Sequence, residues 1–374
     1  MDLKVSFMGL KLKNPIIVAA GPLTASGKMI KKAIDAGAGA VVTKTIVNEV
    51  RSNVRPRLVA NKYGMQNIEL YSEYSLEEWE NEISYAKEND GIVIANILAH
   101  TPSEMAYIAS RVEKFGADAI ELGISSPNGE GIEVLGSNPN KLYDFTKSVV
   151  ARVNIPVMVK LSSNVTNLAR LAKAAEKAGA SAISGIDTVR GILGVDIEKK
   201  EALLPTYGGY SGAGIRPIGL AAVSTISQAV NISVSGIGGI INYKHVLEYI
   251  MLGATTVQMC TGLILNGVEN IKNVLSELES WMNRREYNSI DDIKGAALRS
   301  LKSYEEIKLE PYGLKSRVFK CHVNCDKCVK ACAYEAITKQ NDRVYVESKN
   351  CTGCGLCVSL CDSRKFNLEW INCL

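Results

Sequence analysis

Cysteine is almost missing from the first 320 residues of this 374-residue chain, where only Cys260 occurs. No disulfide framework can be written for that part. A basic block is missing too. Lysine and arginine number 43 against 39 aspartates and glutamates, a net charge of +4 spread along the chain, which argues against nucleic acid as the main partner. No apolar run is long enough to span a bilayer. The start, "MDLKVSFMGLKLKN", alternates apolar and polar residues and has neither an apolar h-region nor a cleavage site, so no signal peptide is read there. The expectation is a soluble cytoplasmic protein with no membrane partner. Finally, no G-x-G-x-x-G follows the first apolar run, and no nicotinamide-binding fingerprint is visible elsewhere. Chemistry with NAD(P)H would therefore need a partner.

What is present is a repeating unit. Nearly half of the residues are apolar, enough for one large domain and a small one. Short β-favouring runs occupy 16–21, 40–46, 92–98, 119–125, 157–162, 182–187, 232–238 and 256–261. Between them, helical periodicity covers 24–36, 76–88, 102–115, 140–153, 166–179, 217–229, 242–252 and 266–282, as in Leu168, Leu171, Ala172 and Ala175. Runs apolar on both faces suit a parallel sheet covered by helices. Eight such units predict an α/β fold of the (β/α)8 TIM-barrel type, with a doubly wound open sheet as the alternative. Residues 47–75 and 188–216 are long insertions after the second and sixth strands, at the end where barrels build their sites. Residues 283–312 are charged and helical in pattern and are expected to form the closing helix and a connector. The expected division is a barrel over 1–300, and a connector with a cysteine-rich domain over 301–374.

The other nine cysteines crowd into the last 54 residues. Cys351, Cys354, Cys357 and Cys361 follow C-x2-C-x2-C-x3-C, and Cys321, Cys325, Cys328 and Cys332 follow C-x3-C-x2-C-x3-C. This is the spacing of bacterial ferredoxins with two clusters, in which the fourth cysteine of each run serves the other cluster. Cys321, Cys325, Cys328 and Cys361 are assigned to one 4Fe–4S cluster, and Cys332, Cys351, Cys354 and Cys357 to the second. Zinc is the competing reading, but zinc ribbons pair two C-x2-C knuckles rather than two four-cysteine runs. The first run has one extra residue, and Ala333 and Asp362 stand where a proline usually follows the fourth cysteine. Cys260 and Cys373 belong to neither run. A two-cluster domain relays single electrons, so the barrel is expected to carry a group that converts two-electron chemistry into single steps, usually a flavin.

The barrel's motifs carry a resemblance. In order, they are "NPIIVAAGPL", "GAVVTKT", "MQNIEL", "ELGISSPNG", "VMVKLSSNVT", "GGYSGAGIRPIGL", "VSGIGGI" and "GATTVQMCTG". Together they resemble the dihydroorotate and dihydropyrimidine dehydrogenase family of FMN barrels, most of all the flavin–ferredoxin portion of dihydropyrimidine dehydrogenase. The resemblance implies FMN held by Ala20, Gly21, Lys44, Thr45, Asn96, Lys160, Gly212, Gly236, Gly238, Gly239, Cys260 and Thr261. The glycines suit a phosphate approached by backbone N–H groups after strands seven and eight. Lys160 would sit against the flavin edge where negative charge gathers on reduction. His100 is read as a loop residue.

The loop "ELGISSPNGEG" holds the position at which the family moves a proton at substrate carbon, and Ser126 occupies it. A capping serine in a Ser-Pro turn is the plain alternative. Asn67, Glu69, Gly123, Ser125, Asp187 and Thr188 take the substrate positions. Gly123 and Asp187 stand where asparagines are expected, so an amide is lost and a carboxylate gained. Orotate is therefore disfavoured. The expected function is an FMN-dependent oxidoreductase acting on a C–C bond next to a carbonyl or amide of a small cyclic substrate. The clusters would connect it to an external carrier, a ferredoxin or an NAD(P)H-oxidising flavoprotein subunit. The alternatives are a dihydropyrimidine dehydrogenase subunit acting on uracil or thymine, an electron-transfer or scaffold subunit with a vestigial barrel site, and a non-redox phosphate-binding barrel with structural clusters. The resemblance also implies a homodimer.

Overall fold

The computed structural model describes every residue except 1, 51, 89, 126–131, 309–311, 322–324 and 371–374. The described chain forms two compact units, Met1–Ser300 and Leu301–Leu374.

In the first unit, eight strands pair in parallel and close into a barrel in sequence order. They are Ile16–Val18, Ala40–Val42, Val93–Ile97, Ala119–Leu122, Val157–Leu161, Ala182–Gly185, Ser233–Ile237 and Thr256–Met259. Strand eight returns to strand one through Val257 opposite Ile16. Ile16, Ile17 and Val18 are all fully buried, as expected of strands covered on both faces.

Local chemistry explains the repeat. Ser26, Thr101, Asn138, Asn167 and Asn242 each accept a backbone N–H at a helix start, worth about 1 kcal/mol apiece against alanine. Four helices end on a glycine at positive φ (Gly37, Gly116, Gly179 and Gly253), a conformation that side chains rarely adopt. An alanine and one further residue lead from each into the next strand.

The strands end one to four residues sooner than the apolar runs suggest. Ala19–Gly21 and Thr43–Thr45 have already left the ladder, because the chain opens at this end of the barrel to line a cleft. The helical reading of 283–312 is corrected. The closing helix is Asn270–Arg284, and three short 3-10 turns follow, at Ile290–Asp292, Leu298–Ser300 and Tyr304–Glu306. Capping signals are present, with Asp292 and Glu306 reaching back to Ser289 and Ser303. What is lacking is an apolar stripe: among the described residues of this stretch only Ile290 and Ile293 are buried, and Gly295 sits at a φ of 71°.

The two insertions meet. Leu58–Asn61 and Gly64–Asn67 from the first pair with Gly208–Ser211 and Val189–Gly191 from the second in one antiparallel sheet. Gly209 lies opposite Asn67, and Ser211 opposite Met65. Among the described residues, no helix is long and apolar enough to cross a membrane.

The second unit has a three-stranded antiparallel sheet of Arg317–Lys320, Arg343–Val346 and Ile337–Gln340. Its small core is Leu314, Ile337, Val344, Val346 and Phe366. The short helices Lys327–Ala331 and Leu356–Leu360 carry Cys328 and Cys357, one in each cysteine run.

Candidate functional site

Two adjoining chambers open at the C-terminal ends of the barrel strands. One is lined by Ala20, Gly21, Gly212, Gly238, Gly239, Cys260 and Thr261. The other is lined by Lys44, Thr45, Glu69, Asn96 and Gly123. Ala20, Gly21, Asn67, Lys160, Asp187 and Thr188 border both, so the two form one continuous cleft.

The first chamber has walls of bare backbone. Gly212, Gly238 and Gly239 hold φ values of 99°, 126° and 68°, which favour glycine and leave their N–H groups approachable. The Tyr249 hydroxyl donates to the Gly238 carbonyl at 2.7 Å and holds the turn from behind. A Cβ on Gly21 would lie 2.7 Å from Cys260 Sγ, so a side chain there would close the cleft. Thr261 Oγ1 and Ser211 Oγ are 2.8 Å apart, joining the start of the helix after strand eight to the inserted sheet.

Lys160 ends strand five, with only 6 % of its surface exposed. Burial works against its charge, but Asp187, Glu121 and Cys260 outweigh it, and the pKa is raised above the usual lysine value. Its ammonium lies 3.9 Å from Asp187 Oδ2. Glu121 is fully buried on strand four and accepts from Asn96 Nδ2 (2.7 Å), Ser184 Oγ (2.6 Å) and Gln258 Nε2 (3.1 Å). Burial pushes the Cys260 thiol up to about 11 despite the nearby lysines, so it stays protonated near neutral pH. Among the described residues that line the cleft, two buried acceptors have no hydrogen-bond partner: Asn96 Oδ1 and Gln258 Oε1. An unpaired buried acceptor costs about 1–3 kcal/mol, so both are placed to receive a donor from a ligand.

Glu69 sits between two cations. Lys44 Nζ donates to Oε2 at 2.6 Å and Arg57 Nε to Oε1 at 2.7 Å. Burial raises the Glu69 pKa, but Lys44, Arg57 and Asn67 together lower it below the ordinary carboxylate value. A lowered folded pKa contributes stability above the unfolded value that is lost as pH falls through the folded one. Glu69→Gln should therefore destabilise the protein by on the order of 3 kcal/mol at neutral pH. The gap in melting temperature between wild type and variant should close as pH drops below 4.5. A gap independent of pH would show that the carboxylate's charge contributes nothing.

Most of the residues expected at the site converge on the cleft. Gly236 does not: a Cβ there would lie 2.3 Å from the Tyr249 ring, so this glycine makes room for a helix instead. Ser125 reaches the cleft indirectly, donating from Oγ to Asp187 Oδ2 at 2.8 Å. Ser126 lies outside the described residues. His100 is exposed at the start of a helix, where its N–H donates to Glu104. Gly123 has a packing reason that the sequence hides: a Cβ there would lie 2.5 Å from Asn96 Oδ1. Arg57, Glu121 and Gln258 were not anticipated. Glu121 and Gln258 could have been suspected, since each is a lone polar residue inside a buried strand run.

In the second unit, Cys332, Cys351, Cys354 and Cys357 line one largely apolar cavity. Burial, chiefly, raises the Cys328 pKa, with Cys325 and Cys361 close enough to add to it. Burial likewise raises Cys357, with Cys351 and Cys354 adding. Among the described residues, no three His, Cys, Asp or Glu side chains gather tightly enough to hold a metal ion. Cys373 lies outside the described residues.

A sequence model of the dihydroorotate dehydrogenase family matches residues 2–282. The catalytic subunit of dihydroorotate dehydrogenase B (NAD(+)) from Thermoplasma volcanium is 35% identical over 302 residues, covering 80% of this chain and 99% of that protein. The chloroplastic dihydropyrimidine dehydrogenase (NADP(+)) of Arabidopsis thaliana is 30% identical over 357 residues, covering 84% of each. The crystal structure of dihydroorotate dehydrogenase from Eimeria tenella, in complex with ferulenol, superposes with a TM-score of 0.70 over 79% of this chain and 89% of that one. At 20% identity, that likeness speaks for the fold. With more than half of its length matched by the family and close relatives of nearly full coverage, the chain belongs to the dihydroorotate dehydrogenase family.

Proposed function

We propose that this protein is an FMN-dependent oxidoreductase. It acts on a C–C or C=C bond next to a carbonyl or amide of a small cyclic substrate. The observation that carries the reading is the continuous cleft in which a glycine-walled chamber and a charged chamber share Lys160 and Asp187. Cofactor and substrate would occupy the two chambers in contact.

The residues fit a flavin mononucleotide. Gly212, Gly238 and Gly239 offer approachable backbone to a phosphate, with Thr261 beside them. Gln258 Oε1 is a buried acceptor without a partner, suited to an N–H of a flat ring. When bound, FMN supplies hydride exchange with the substrate carbon. The protein's part is electrostatic and positional. Lys160 provides a fixed positive charge where negative charge gathers. Lys44 is held at the chamber wall by Glu69, which Arg57 anchors in turn. Ser126 handles the proton at substrate carbon. Its neighbour Ser125 ties the start of that loop to Asp187 across the cleft.

The cysteine-rich unit is proposed as a ferredoxin-like relay to an external carrier. A cubane spreads its thiolates over separate irons, wider than the shell of one ion. The cavity shared by Cys332, Cys351, Cys354 and Cys357 matches the ligand set written for one cluster. Cys325, Cys328 and Cys361 belong together in the other, with Cys321 packed on the same core. Reduction of uracil or thymine is supported by Asn67 and Glu69 but opposed by Gly123 and Asp187, so it stands second.

Anaerobic purification tests the whole reading. One FMN and about eight irons with eight labile sulfides per chain are expected if both runs assemble four-iron clusters. Four irons, or stoichiometric zinc, would remove the first run from the relay. A colourless protein would remove the flavin.

A further inference from the structure

We infer that the substrate presents an amidine-type edge, a ring N–H beside an amino group, to a wall built from Asp187 and Asn96. The inference deepens the proposed function and rests on its charged chamber being the substrate side.

The argument counts acceptors. A carboxylate offers about four lone-pair sites. Among the described residues, Asp187 uses two: Oδ2 accepts from Ser125 Oγ at 2.8 Å, and Oδ1 from the Thr188 backbone N–H at 2.7 Å. One site remains on each oxygen. That is the arrangement that receives two parallel N–H groups, as an amidine or guanidine edge provides them. Lys160, at 3.9 Å, balances the charge without hydrogen-bond contact.

Asn96, which the resemblance gave to the flavin, lines the charged chamber instead and points to the same chemistry independently. Its side chain is 1 % exposed, its amide N–H is committed to Glu121, and Oδ1 has no partner. Gly123 makes room for that buried oxygen, since even a Cβ would press on it at 2.5 Å. Apart from the Lys160 ammonium, which stands beside Asp187, the side-chain donors that face this wall are engaged within the protein. Lys44 and Asn67 both donate to Glu69, and Ser125 to Asp187. The chamber therefore offers acceptors and asks its ligand for donors. A carbonyl facing Asp187 meets only lone pairs and leaves both sides unpaired.

Isocytosine and uracil isolate this edge, because one carries an amino group where the other carries a carbonyl on the same ring. Dissociation constants for isocytosine, uracil and orotate are measured on the flavin-loaded protein from perturbation of the flavin absorbance, and again by calorimetry. Isocytosine is expected to bind roughly tenfold or more tighter than uracil, with orotate weakest. Asp187→Asn, nearly the same shape but with a donor restored, is expected to reverse the order of isocytosine and uracil. Gly123→Ala is expected to weaken isocytosine by displacing Asn96 Oδ1. Uracil or orotate binding tighter than isocytosine to the wild type would overturn the inference, and so would an unchanged order in Asp187→Asn. Absence of flavin from the purified protein would instead overturn the functional reading beneath it.

Discussion

Lys160→Ala is expected to lower turnover by about 10²–10³ while leaving most of the flavin bound, because it removes a positioned charge from the place where charge develops. The side chain sits at the end of strand five, bordering both chambers. Burial would neutralise an isolated ammonium there, but Asp187, Glu121 and Cys260 raise its pKa instead. It therefore stays cationic through neutral pH, and no limb of the pH–rate profile below 10.5 should come from it. Cofactor retention is expected because the glycine walls and Thr261 are untouched by the change. The measurement is single-turnover kinetics at saturating substrate, with flavin content from absorbance. Unchanged turnover would take Lys160 out of the mechanism. Loss of flavin in proportion to activity would make it a binding residue only.

Ser126→Ala is expected to slow the substrate half-reaction by about 10²–10⁴ and to spare reduction of the flavin by the external carrier. Both half-reactions share the cofactor, yet only one moves a proton on carbon. Ser126→Cys should keep partial activity with a pH optimum that follows thiol ionisation, since cysteine fills this place elsewhere in the family. The serine follows Ser125, whose Oγ donates to Asp187 Oδ2. Stopped-flow measurement of each half-reaction separates the outcomes. Equal slowing of both would mean that Ser126 holds the loop or cofactor in place. Slowing of neither would leave it a turn residue after strand four.

The barrel was legible because its signals are local. Runs such as Ile16–Val18 are apolar on both faces, and helix caps such as Ser26 and Thr101 sit within a few residues of what they cap. Short-range periodicity decides such features, and eight repeats of one unit leave few topologies. The cysteine runs were legible for the same reason, as spacing within each run is a local property. Residues 283–312 misled because charge and capping chemistry imitate a helix, whereas a buried stripe is what sustains one.

Tertiary structure alone decided how the distant parts meet. Asn67 and Gly209 face each other across the sheet made by the two insertions, a pairing that no local pattern encodes. Arg57 and Glu69 lie in the first insertion and Lys44 follows strand two, and the burial of Lys44 and Glu69 with the half-buried Arg57 beside them turns ordinary surface-type charges into a fixed ion group. Glu121 reads as a charge in a strand until Asn96, Ser184 and Gln258 are seen to close around it. Gly123 reads as a lost asparagine until its missing Cβ is seen to leave room for the buried Asn96 Oδ1. The sequence by itself determined which backbone elements form, since those depend on neighbours within a turn or two. Which polar atoms are paired, and which are left facing a ligand, depends on contacts between residues far apart in the chain, and that was decided only when the barrel closed.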